Sequence, residues 1–150
     1  MLLPKSAINS MKPSELRQLP EEEIMGLTHV TVTVQNTADI TRAWEALFLV
    51  DTGATDSLAP ESALRSIGIE PVGSRTYELA DGTEQRMEYG VARFEWMGEI
   101  SAGIILFGPD DAEPILGVTA LESAGIVVDP RTGKLKRLPA VPLKSAKRSV

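Results

Sequence analysis

From Leu27 onward the chain alternates apolar and polar residues. Val30, Val32 and Val34 fall on one side of an extended segment and Thr31 and Thr33 on the other, the two-residue period of a strand. Residues 35–41 are polar and turn-like. Residues 44–50 predict a second strand, closing in the nearly continuous apolar run Ala46, Leu47, Phe48, Leu49, Val50, a pattern expected of a strand buried on both faces. The run breaks at the polar, glycine-containing loop Asp51, Thr52, Gly53, Ala54, Thr55, Asp56.

Residues 60–66 predict a short helix, with Pro60 at its first position and Gly68 as its stop. A strand follows over 75–80. Asp81-Gly82 is a two-residue hairpin signal, and a long strand returns over 83–96. Met97-Gly98 turns the chain again into a strand over 100–107, and residues 108–114 form an acidic loop. Ile115, Leu116 and Gly117 make a short buried strand that enters a helix over 118–123, which Gly125 stops. A last hairpin joins 126–129 to 134–138 across 130–133. Many short strands, regular turns, little helix and no internal repeat predict a mostly β barrel or sandwich.

The ends differ from this body. Residues 1–26 are punctuated by Pro4, Pro13 and Pro20, with a short helix expected over 14–19 and an exposed run at Glu21, Glu22 and Glu23. They read as an N-terminal appendage to a domain over 27–138, and residues 139–150 as a basic tail. A length of 150 residues favours one domain, and a hydrophobic fraction of 43% supplies a core.

Composition removes several chemistries. The chain has no cysteine, which excludes disulfides, thiolate metal sites and a cysteine nucleophile. It has one histidine, His29, inside the first strand pattern, where a structural role is expected. A serine triad needs a placed histidine and zinc sites usually need several His or Cys ligands, so the composition favours carboxylates as the reacting groups if the chain is a hydrolase, and no metal or cofactor is expected. The net charge is −6, and of the 15 basic residues seven follow Asp129, where no acidic residue occurs. An acidic body argues against nucleic acid as the partner. Nothing resembles a signal peptide, and no run approaches the roughly 20 apolar residues of a membrane span, so a cytoplasmic location without membrane contact is expected.

The loop after the second strand carries the candidate chemistry. Asp51 leaves an apolar strand, where solvation is poor unless backbone donors reach the carboxylate. Gly53 lets the backbone fold tightly, Thr52 adds a hydroxyl, and the amides of Gly53 and Ala54 are expected to point back at the acid. One carboxylate is a poor peptide hydrolase. Two, a few ångströms apart, share one proton: the ionised member activates water while the protonated member hydrogen-bonds the carbonyl oxygen. A chain with a single such loop builds the pair by two-fold association.

Asp51-Thr52-Gly53-Ala54, preceded by Phe48-Leu49-Val50, resembles the active-site motif of the retroviral-type (retropepsin-like) aspartic peptidases, and Ile115-Leu116-Gly117 before a helix is similar to that family's second hallmark. The likeness covers about residues 27–138 and looks most like small bacterial stand-alone members. It implies a closed, mostly β acid-protease barrel with one or two short helices, active as a homodimer that cleaves peptide or protein substrates without a cofactor. By position it implies that Asp51 is the catalytic carboxylate, that Thr52 braces the two loops across the dimer axis, that Gly53 approaches bound peptide and that Ala54 lines the cleft. Ala80, Asp81 and Gly82 would belong to a flap over the substrate, with Asp81 and Gly82 at its tip. Ile115 and Leu116 would support the site, and Gly117 would pack beside the active-site loop. The chain departs from the viral pattern at Thr55 and Val118, where viral members often carry an Asp–Arg ion pair, and its flap lacks a glycine-rich tip. A second reading keeps the same fold as a catalytically inactive dimerisation or peptide-binding module. On the peptidase reading, residues 1–26 are also a candidate for self-removal.

Overall fold

The computed structural model describes residues 28–141 and 143. The N-terminal appendage and most of the basic tail expected from the sequence therefore lie outside the described residues. Nine strands and two short helices follow in chain order: β1 (His29–Gln35), β2 (Ala43–Asp51), β3 (Ser57–Pro60), α1 (Glu61–Ser66), β4 (Gly73–Glu78), β5 (Glu84–Trp96), β6 (Glu99–Gly108), β7 (Ile115–Gly117), α2 (Val118–Ser123), β8 (Ile126–Val128) and β9 (Leu135–Arg137).

Six strands close on themselves. The order β1-β2-β7-β3-β6-β5 returns to β1 through the pairing of Thr33, Val34 and Gln35 with Glu95, Phe94 and Arg93. The result is a mostly β closed barrel, the fold class expected from the sequence. Closure leaves no unpaired edge around the ring. Two parallel pairings, β2 with β7 and β3 with β6, sit among antiparallel ones. β8 and β9 form a separate two-stranded sheet.

The core is the barrel interior. Val32 and Val34 from β1, Phe48 from β2, Phe94 from β5, Ile105 from β6 and Leu116 from β7 are buried there. α1 contributes Leu64, α2 contributes Ala120 and Leu121, and β8 adds Ile126. Trp44 meets Phe48 with ring centroids 5.8 Å apart. Among the described residues no helix is long and apolar enough to cross a membrane.

Three local features differ from expectation. The apolar run of β2 is buried on one face rather than two: Phe48 is buried and Ala46 and Val50 pack on the core, whereas Leu47 and Leu49 are half-exposed. A closed barrel has one interior, and the two-residue period sends alternate residues outward. Ser57–Pro60 is a strand where the sequence pattern assigns no element before Pro60, so Pro60 stands one position before α1, rather than at its first position, in extended geometry with ψ 135°. The turn after β4 is a three-residue loop, Ala80-Asp81-Gly82, since the Leu79 amide donates to the Thr83 carbonyl at 2.7 Å and the Gly82 amide to the Leu79 carbonyl at 2.9 Å. Gly82 takes φ +85° there, the left-handed residue that completes such a loop. The Met97-Gly98 turn has φ +51° and +75°, a tight primed turn matched to strand twist.

Gly117 tests how the barrel is sealed. A Cβ at this position would lie 2.6 Å from the carbonyl carbon of Asp56 and 2.8 Å from the carbonyl oxygen of Thr55. Backbone cannot yield as a flexible side chain does, so Gly117→Ala is expected to cost about 1–3 kcal/mol. Gly103 in β6 has open space where its Cβ would be, and Gly103→Ala should stay within about 0.5 kcal/mol of the parent. Urea unfolding midpoints of the two variants check the contrast, and equal midpoints would contradict it.

Candidate active site

The loop after β2 is held from two sides. Asp51, the last residue of β2, is in parallel register with Gly117 of β7. The chain then turns, with the Ala54 amide donating to the Asp51 carbonyl at 3.1 Å. The carbonyls of Ala54 and Thr55 accept from the amides of Val118 and Thr119 at 2.8 and 3.1 Å. The Thr119 hydroxyl adds a second bond to the Thr55 carbonyl at 2.6 Å. Behind it, the buried Ser57 hydroxyl accepts from the Gly117 amide at 3.0 Å. The first turn of α2 is thus stitched to the loop, and β7 passes where only a glycine fits.

The Asp51 side chain is half-exposed at the mouth of this loop, and its Oδ1 accepts from the Gly53 amide at 2.9 Å. The expectation of two amides on the carboxylate is corrected here: the Ala54 amide serves the Asp51 backbone carbonyl, because it is the i+3 donor of the turn. A Cβ on Gly53 would stand 3.2 Å from Asp51 Oδ1, so a larger residue would press on the acid. Thr52 and Gly53 are exposed, and Ala54 is half-buried.

A cleft of about 740 Å³ opens beside Asp51, a volume suited to a sizeable ligand. Its floor is Asp51, Gly53, Ala54, Thr55, Asp56 and Leu58, with Leu106 and Ile115 from the neighbouring strands. Its opposite wall is the β4–β5 hairpin, through residues 76–80 and Met87. That hairpin is an arm. Glu84, Gln85, Arg86, Met87 and Glu88 pair with β4, and β5 joins β6 only from Tyr89 onward. Of the residues expected in a flap, Ala80 lines the cleft, whereas Asp81 and Gly82 are exposed at the arm's tip and do not. Asp81 instead stiffens the tip: its Oδ1 accepts from the Thr83 hydroxyl at 2.6 Å and amide at 2.9 Å. The hydroxyl first and the amide second hold its carboxyl below the usual range. Ile115 also lines the cleft, Leu116 is fully buried beneath it, and Gly117 touches the loop.

Sequence reasoning missed the residues that join arm to floor. Asp56 is 8% exposed, and its Oδ2 accepts from the Tyr77 hydroxyl at 2.6 Å. The Arg75 guanidinium lies 3.6 Å from the same oxygen and 4.9 Å from the centre of the Tyr89 ring. Tyr77 and Arg75 are alternate residues of β4, a spacing that puts both on one face, but nothing in the sequence marks Asp56 as their partner. The lining residues carry the carboxylates of Asp51, Asp56 and Glu78 and no Lys, Arg or His. Among the described residues no cluster of three His, Cys, Asp or Glu forms a metal-binding group.

No protein-family model matches the chain, and no curated protein matches it. Among solved structures it is similar to the solution structure of the Simian Foamy Virus (mac) protease, at 18% identity and a TM-score of 0.45, over 62% of this chain and 90% of that one.

Burial pushes the Tyr77 phenol up to about 12, with the hydrogen bond to Asp56 second. A folded-state value above the unfolded value of about 10 means that the neutral phenol stabilises the fold. That contribution is complete below pH 10 and is lost as pH rises toward 12. Tyr77→Phe should therefore flatten the alkaline fall of stability in this window, measured by urea unfolding at stepped pH. Identical slopes in parent and variant would contradict the assignment.

Proposed function

We propose that the chain is an aspartic endopeptidase in which Asp51 pairs with Asp51 of a second copy. The observation that carries this reading is Asp51 at the end of a core strand, capped by the Gly53 amide and facing a cleft roofed by a two-stranded arm. The likeness of the Asp51-Thr52-Gly53-Ala54 and Ile115-Leu116-Gly117 segments to retropepsin-like motifs supports it. So does the register that sets Asp51 beside Gly117.

Two further carboxylates line the same cleft within the chain, but Asp56 is committed to Tyr77 and Arg75 and Glu78 is exposed on the arm rather than on the loop that carries Asp51. The proton-sharing partner of Asp51 is thus sought in another protomer, where two-fold symmetry supplies the same loop. In that dimer one Asp51 takes a proton from water as the oxygen attacks the scissile carbonyl. The other, protonated, hydrogen-bonds the carbonyl oxygen, and a proton then passes to the leaving amine. Thr52 braces the paired loops, and Gly53 and Ala54 face the bound peptide backbone. Ala80 and the arm cover it, with Asp81 and Gly82 at the leading edge. The apolar lining from Leu58, Leu79, Met87, Leu106 and Ile115 receives peptide side chains.

Asp51→Asn should lower cleavage of a mixed peptide library by at least about 100-fold, the scale of a lost general acid–base group, while leaving the urea midpoint close to the parent's. Specific activity of the parent should fall on dilution as the dimer dissociates. Undiminished turnover in Asp51→Asn would end the peptidase reading. Peptide binding without turnover in the parent would favour the inactive binding module.

A further inference from the structure

The arm that roofs the cleft has little to hold it down. Its two strands pair with each other over Ser74–Glu78 and Glu84–Glu88, and neither pairs with the barrel until Tyr89. An isolated two-stranded hairpin is marginal in water, so its position depends on what it touches. Among the described residues, the side-chain hydrogen bond and ion pair that tie this arm to the body both end on one atom, Asp56 Oδ2. Asp56 closes the Asp51 loop: the backbone of Thr55 and Asp56 is the surface against which Gly117 packs, and the Thr55 carbonyl accepts from α2.

We propose that Tyr77 and Asp56 form a latch that docks the arm onto the Asp51 loop, making them positioning residues that set how the cleft closes over its substrate. The substrate part of this inference rests on the peptidase reading; the docking part does not. The Tyr77 hydroxyl donates to a carboxylate that is almost wholly removed from solvent, a setting in which a hydrogen bond is strong and its loss leaves a buried acceptor short of a donor. Arg75 approaches the same oxygen from a half-exposed position over the Tyr89 ring at the arm's base. The latch therefore fixes the arm at two points along β4. It also leaves Asp51 untouched, since the carboxylate of Asp56 is turned to the arm.

Backbone hydrogen exchange of the full chain, without any substrate, reads the docking directly. In Tyr77→Phe, which removes one oxygen, amides of the arm ladder over 74–88 and those of Val118 and Thr119 should exchange about tenfold faster, the change that follows from losing one charge-assisted hydrogen bond. The Asp129 and Leu138 amides, bonded to Lys134 and Gly125 in the distant hairpin, should be unchanged. Asp56→Asn keeps an acceptor oxygen for Tyr77 but removes the charge that Arg75 faces, so it should fall between the parent and Tyr77→Phe, whereas Asp56→Ala, which removes the partner of both, should exchange at least as fast as Tyr77→Phe. Unchanged arm exchange in Tyr77→Phe, or uniform acceleration that includes Asp129 and Leu138, overturns the latch. With a cleaved peptide in hand, Tyr77→Phe should raise KM about fivefold and leave kcat within about twofold, because the substrate must now order a loose arm; a loss in kcat alone overturns the positioning role. A parent that shows the exchange pattern but cleaves nothing retains the latch and loses the peptidase.

Discussion

The close passage of β7 against the loop between β2 and β3 is the constraint on which the rest of this structure depends. Where Gly117 meets the carbonyls of Thr55 and Asp56, the space is too small for a Cβ. Because β7 can enter there, it pairs with β2 on one side and β3 on the other, and the six-strand ring closes. Closure in turn fixes the direction in which the loop leaves the barrel. The amides of Val118 and Thr119 hold the Ala54 and Thr55 carbonyls, and the Ser57 hydroxyl holds the Gly117 amide, so the inner side of the loop is paired with its neighbours while Thr52, Gly53 and Thr55 stay exposed. Asp51 is therefore presented by a rigid support rather than by a free loop.

The arm follows a different logic. β5 is 13 residues long because it serves two purposes in series. Its second half is a barrel strand with partners on both sides, β6 and β1. Its first half has only β4 and projects over the cleft. The transition falls at Tyr89 and Gly90, and Gly90 is where a Cβ would strike the Glu70 carbonyl and Ile69 at 2.9 Å. A rigid floor and a less supported roof thus come from one continuous strand. Local stability is expected to fall along it from barrel to tip.

Much of this architecture is legible in the sequence, for physical reasons that differ from place to place. Turns announce themselves where the backbone needs a left-handed residue: Gly68, Gly82, Gly98, Gly125 and Gly133 all take positive φ, and each stands where a stop or turn is expected. Strands with one face on the core show their period, as Val32 and Val34 do. The short strand Ser57–Pro60 is hidden, because four residues are too few to display a period and a proline ends them; its strand geometry comes from parallel pairing with β6. The apolar run of β2 overstates burial, since Leu47 and Leu49 look like core residues yet face outward. At the site, the Asp51 loop and Ile115-Leu116-Gly117 are visible as local motifs, whereas their adjacency is a fact of register that no local period encodes and that only the family resemblance implies. Asp56 and Tyr77 carry no local signal at all. They lie 21 positions apart and meet only because the arm folds back over the loop.

Two carboxylates on one short loop, Asp51 and Asp56, have been sorted by their surroundings into different work. Asp56 is buried, with its Oδ2 held by the hydroxyl of Tyr77 and the guanidinium of Arg75, so that oxygen serves the arm. Asp51 is half-exposed, with one oxygen on the Gly53 amide, so it keeps lone pairs for something that arrives. A residue that must meet water and a scissile carbonyl needs such unspent capacity, and a residue that anchors a lid needs the opposite. An exchange of these environments would give a tethered acid and a loose roof. Only four residues lie between these two identical side chains, yet their roles are not interchangeable: Asp51 ends a strand at the cleft mouth, and Asp56 leads into the next strand beneath the arm. A peptidase built on this site would owe its acid to the strand and its closure to the arm, with the rigid loop between them joining the two.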